Sequence, residues 1–107
     1  MKQNEILVIY GKNYTTLARQ LLEEAHLAEM IGDREKVIGI KPNLVAPVPA
    51  EDGGTTHPEV VEGLIQYLQE HGFRNLRIME GSWVGDRTEE SFEVCGYTAL
   101  AEKYGVQ

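Results

Sequence analysis

Three short apolar runs rich in β-branched residues, each followed by a polar loop or a helical stretch, constrain this chain more than any other feature. Ile6-Leu-Val-Ile-Tyr10 is continuously apolar, the pattern of a strand buried on both faces, and Gly11 ends it. From Thr16 to Ile31 the apolar residues Leu17, Ala18, Leu21, Leu22, Ala25, Ala28 and Ile31 form one helical stripe opposite Arg19, Glu23 and Glu24. Gly32 and Asp33 close that helix. Lys36 to Ile40 reads as a second strand, and Lys41-Pro42 forces the chain out of it, because proline donates no amide and restricts the residue before it. Thr56-His57-Pro58-Glu59 fits a capping box, with Thr56 as N-cap and Glu59 at N3. The helix it opens carries Val60, Val61, Leu64, Ile65 and Leu68 on one stripe, and Gly72 stops it. Leu76 to Glu80 is the third strand. Beyond it, Asp86 or Thr88 is placed to cap a helix carrying Phe92 and Cys95, Gly96 breaks that helix, and Tyr97 to Tyr104 form a last helical segment.

This alternation predicts an α/β fold: a small three-layer α/β/α domain, Rossmann-like, with a mainly parallel sheet of about three strands. A chain of 107 residues has room for a single α/β domain over 1–107. So small a parallel sheet leaves an edge that calls for a partner. Seventeen acidic against ten basic residues give a net charge of −7, which disfavours nucleic acid and anionic membranes as partners. The single cysteine, Cys95, makes no intramolecular disulfide and no four-thiolate site, so the expected compartment is reducing and cytoplasmic, with no metal and no cofactor in this chain. The first apolar run is too short for a signal-peptide core or a membrane span.

In open parallel sheets ligands bind beyond the carboxyl ends of the strands, where strand ends and helix N-termini converge. Lys41 follows the second strand and is suited to holding a phosphate or carboxylate as a point charge; a solvated lysine is the plainer alternative. Asn43, two residues on, shares Lys41's side of the chain if the backbone stays extended. His57 in the first helical turn suits a neutral donor or a general base, and a structural role suits it equally. Thr55 and Thr56 border first-turn amides that resemble an anion cradle, although capping alone accounts for Thr56. Glu80 ends the third strand, where a carboxylate reaches a ribose hydroxyl, a metal or a proton, or else pairs with Lys41. Ser82 follows in a glycine-flanked loop with Trp83, which is suited to an aromatic wall or a partner contact. The proline-bearing stretch from Lys41 to His57 is longer than loops usually are without a function. His26 and His71 read as surface residues without partners, and Cys95 as a core residue.

Gly11-Lys12-Asn13 lacks the rest of a Walker loop, no G-x-G-x-x-G follows a strand, and Gly81-Ser82-Trp83-Val84-Gly85 is not a nucleophile elbow. No reaction is legible in these residues. Lys41-Pro42-Asn43-Leu44, then Thr55-Thr56-His57-Pro58-Glu59-Val60-Val61, then Glu80-Gly81-Ser82, in that order and spacing, resemble the family known as domain of unknown function 362. The resemblance spans nearly the whole chain and corresponds to the N-terminal part of a larger family domain. It implies an association with iron-sulfur redox proteins, whose ferredoxin-type cysteine clusters this chain does not carry, and it raises the functional weight of Lys41, Asn43, Thr56, His57 and Glu80. Three readings follow: a small-anion site at the C-terminal edge of the sheet, a non-enzymatic interaction or oligomerisation module working through Trp83 and the 41–57 loop, and a truncated fragment without activity of its own.

Overall fold

The computed structural model describes residues 4–43, 56–79 and 96–106. Its elements run α1 (Tyr14–Ala25), α2 (Leu27–Ile31), β1 (Ile38–Ile40), α3 (Pro58–Glu70), β2 (Leu76–Ile78) and α4 (Tyr97–Tyr104). Strands β1 and β2 pair in parallel, with Ile38 opposite Leu76 and Ile40 opposite Ile78. Ile38 N–H donates to the Asn75 carbonyl and Met79 N–H to the Ile40 carbonyl, each at 2.8 Å. A parallel pair needs a crossover connection, and α3 is the helix within it. The α/β character expected of the strand and helix runs is therefore present. Its second and third strands, its crossover helix and its final helix stand where the hydrophobic patterns put them.

Two expectations are corrected. The sheet of the described residues has two strands rather than three, and no three-layer arrangement is seen in them. Residues 6–10 lie outside the sheet, with Ile6 87%, Val8 64% and Tyr10 89% exposed while Leu7 and Ile9 are half-buried. A β-branched run states a preference for pairing without naming the partner, and here the sheet does not supply one. The stripe from Thr16 to Ile31 is likewise two helices. His26 takes the left-handed region, φ 56° and ψ 43°, and ends α1 with its amide directed at the carbonyls of Leu22 and Glu23.

The chain divides into two compact units. One comprises Met1–Lys36 and Glu59–Arg74. Within it, Asn13 caps α1 by accepting the Thr16 amide at 3.0 Å on its side-chain oxygen. Gly63 lets α1 and α3 approach closely: a Cβ placed there would stand 2.5 Å from the Thr15 carbonyl oxygen and 2.8 Å from the Ala18 Cβ. The Tyr67 hydroxyl accepts the Ala28 amide at 2.9 Å, and Ile65, Leu68 and Phe73 are fully buried. Arg19 forks onto both oxygens of Glu70 at 2.6 Å and reaches Gln66 at 3.1 Å. With side chains 40% and 52% exposed, the Arg19–Glu70 pair is worth about 1 kcal/mol or less. His71, expected to stand alone, meets Glu23 at 2.9 Å and packs against the Tyr67 ring at 4.3 Å. Its partner lies 48 residues away, a distance at which no sequence pattern reports. Arg34 donates to the carbonyls of Gly32 at 2.6 Å, His71 at 2.8 Å and Ala28 at 3.2 Å, and lies over the Phe73 ring at 4.7 Å. Arg34 thus satisfies carbonyls at the ends of α2 and α3 together.

The second unit comprises Val37–Pro58 and Asn75–Gln107. It holds β1, β2 and α4, and its described core includes Ile40, Leu76, Tyr97, Leu100 and Val106. Both strands are three residues long, so hydrophobic burial around them rather than ladder length stabilises the pair.

Candidate functional site

Four of the residues singled out from the sequence are described, and all four fall in the unit that carries the sheet. Lys41 is the first residue past β1 and is exposed, while Pro42 behind it is buried. A buried proline anchors the chain at that point, so Lys41 leaves the strand from a fixed backbone position. Asn43 has φ 65°, in the left-handed region that asparagine tolerates better than most residues. The extended geometry expected to align its side chain with that of Lys41 therefore ends at this residue.

Thr56 and His57 are half-buried and lead directly into α3. The helix starts at Pro58, one position later than a Thr56 cap requires. Proline thus occupies the first helical position, where a missing amide costs nothing, and His57 precedes it. The Tyr97 hydroxyl donates to the Thr56 carbonyl at 2.7 Å. Tyr97 is itself buried at the start of α4, so this bond ties the entry of α3 to the core of the same unit. Sequence reasoning placed Tyr97 on a helix and missed this positioning role. Its hydroxyl reaches 41 residues back along the chain, and the only local hint was an aromatic side chain directly after a glycine.

Thr55, Glu80 and Ser82 lie outside the described residues, as do Trp83, Asp86, Thr88, Phe92, Cys95 and most of the 41–57 loop. The alternative ion pair between Lys41 and Glu80 lies outside them with Glu80. Among the described residues no group of three or more His, Cys, Asp or Glu side chains is placed to hold a metal ion. No helix among them is long and apolar enough to cross a membrane. Chemically, the described part offers a cation at a strand end, an asparagine amide two residues on, and an imidazole and hydroxyl at a helix entry. Those groups have the donor chemistry that recognises an oxyanion.

Comparison with known proteins agrees with the family resemblance of the sequence. The family model described as a domain of unknown function (DUF362) matches residues 38–107. The match begins at β1 and takes in the whole candidate site. Among curated proteins, the chain is 34% identical over 96 residues to the 1,4-alpha-glucan branching enzyme GlgB of Prochlorococcus marinus (strain MIT 9515). That similarity covers 77% of this chain and 12% of the enzyme. The GlgB of Prochlorococcus marinus subsp. pastoris (strain CCMP1986 / NIES-2087 / MED4) is 33% identical over 96 residues, with the same coverage of 77% and 12%. The chain thus spans 12% of the length of these curated relatives. No solved structure matches.

Proposed function

This chain belongs to the domain of unknown function 362 family, and we propose that it binds a small phosphate- or carboxylate-bearing compound beyond the carboxyl ends of β1 and β2. The observation that carries this reading is Lys41, exposed on the residue after β1 and anchored by buried Pro42. It falls in the same unit as the Thr56–His57 entry to α3 that Tyr97 braces. In this reading the Lys41 ammonium supplies charge, and Asn43 and Ser82 supply directional donors. Thr55 and Thr56 supply hydroxyls beside the first-turn amides of α3, and His57 a ring donor. Glu80 accepts from a ligand hydroxyl and disfavours ligands whose charge lies close to it.

The test is titration with inorganic phosphate, citrate and the neutral oligosaccharide maltoheptaose, by calorimetry and thermal shift. A bound anion at 100 times its Kd adds about 2.7 kcal/mol and raises the melting midpoint of a domain this size by roughly 10 °C. Lys41→Ala and His57→Ala are expected to lose about tenfold or more in phosphate or citrate affinity, a charge-assisted contact being worth about 1.5–3 kcal/mol. The unliganded midpoint should move by no more than about 3 °C for exposed Lys41, where a surface change costs about 0.5 kcal/mol or less, and by about 1 kcal/mol for half-buried His57. Loss of stability in step with loss of binding would make both residues structural. Binding of maltoheptaose without the anions would replace the anion reading by a glucan-binding one, the side on which the curated relatives stand.

A further inference from the structure

The parallel pair β1–β2 is covered on one face only. Ile40, Pro42 and Leu76 are buried and Ile38 and Ile78 half-buried, while the alternate positions Val37, Gly39, Lys41, Asn75, Arg77 and Met79 are exposed. Parallel strands are ordinarily buried on both faces, so an open face calls for an occupant. The residues on it say of what kind. Lys41 and Arg77 are cations and none of the others is an acid, in a chain where 17 acidic residues outnumber 10 basic ones. Among the described residues Arg77 has no hydrogen-bond or ion-pair partner, whereas Arg19 and Arg34 are both engaged.

The register sets how the two cations stand. Gly39 is paired with Arg77, and Lys41 is two residues beyond Gly39 on the same face. Lys41 and Arg77 are therefore diagonal neighbours, with backbones about 8 Å apart from the rise per residue and the spacing between strands. The other diagonal runs from Met79 to Gly39. A Cβ on Gly39 would overlap the Met79 Cε, so the thioether lies along that diagonal, across the space between the two cations. We infer that Arg77 is a second cation of the anion site, and that the ligand carries two anionic groups joined by a short carbon spacer. Lys41 holds one group as a point charge, the planar guanidinium of Arg77 forks onto the other, and the spacer rests on the adaptable side chain of Met79. This ligand class rests on the anion reading of Lys41 and adds a second point of attachment, so that a two-group ligand gains from both contacts at once.

The experiment is calorimetric titration of the full chain with acetate, inorganic phosphate, malonate, adipate and a hexaglutamate peptide. Adipate should bind about tenfold more tightly than acetate, one charge-assisted contact being added, and more tightly than malonate, whose groups share a single carbon and cannot reach both cations. Arg77→Ala and Arg77→Gln should each bring adipate down to the affinity of acetate while leaving acetate and phosphate within about twofold, and Arg77→Lys should keep part of the preference. Lys41→Ala should weaken every anion. Circular dichroism of the variants confirms that the helical signal is kept. Acetate and phosphate bound through Lys41, with adipate no tighter or with Arg77→Ala and Arg77→Gln without effect, would overturn the role of Arg77 and leave the anion reading standing. No binding of any of the anions would overturn both. Binding of hexaglutamate without adipate would overturn the small two-group ligand and assign the open face to an acidic segment of another protein.

Discussion

Replacing Phe73 by alanine should cost this chain about 3–5 kcal/mol, against the roughly 5–15 kcal/mol by which small domains are stable at all. Phe73 is fully buried, its amide donates to the Leu68 carbonyl at 3.0 Å just past the end of α3, and its ring carries the Arg34 guanidinium. Alanine there removes the ring and leaves a cavity, and it takes away the surface on which Arg34 lies while keeping the backbone bonds. The loss should appear as a lower urea midpoint by circular dichroism with the helical signal retained in water. Met30→Ala provides the comparison: its side chain is 72% exposed, so it should move the midpoint by no more than about 0.5 kcal/mol. Equal midpoints for the two variants would show that the burial at Phe73 does not persist in solution.

Gly63→Ala separates local propensity from packing, because the two act in opposite directions. In an exposed helix interior alanine is better than glycine by about 1 kcal/mol. Inside α3 the added methyl meets the Thr15 carbonyl oxygen at 2.5 Å and the Ala18 Cβ at 2.8 Å, and neither is the end of a flexible side chain. The two helices must move apart, an overpacking cost of about 1–3 kcal/mol that also stretches the 3.1 Å bond from the Thr15 hydroxyl to the Glu59 carbonyl. Net destabilisation is expected, with Gly63→Val worse than Gly63→Ala. An alanine variant more stable than the parent would mean that α1 and α3 do not approach this closely.

Some of these features were legible before any coordinates, for reasons that differ from element to element. Helix α3 announced itself by its stripe and by Thr56-His57-Pro58-Glu59 at its entry, and β1 and β2 by short apolar runs with β-branched residues, bounded by proline or glycine. Such signals are local, and local physics decides them. That residues 6–10 lie outside the described sheet was not legible, because a continuous apolar run fits a central strand equally well. Nor was the break at His26. Ala25-His26-Leu27 contains no glycine or proline, and the left-handed turn there is held by amide contacts to Leu22 and Glu23 that no pattern displays. At the candidate site, Lys41 and His57 were found from their positions relative to strand and helix ends. Tyr97 was not, since its contribution is a hydrogen bond closed by tertiary folding.

The grip of Arg34 on three carbonyls also separates two kinds of cation in this acidic chain. Arg19 faces a carboxylate in the open, so dissolved ions compete with that contact and weaken it as they accumulate. Arg34 faces neutral dipoles and an aromatic ring, which mobile ions screen far less. Brine should therefore weaken the Arg19–Glu70 contact between α1 and α3 while leaving the Arg34 contacts at the junction of α2 and α3 in place.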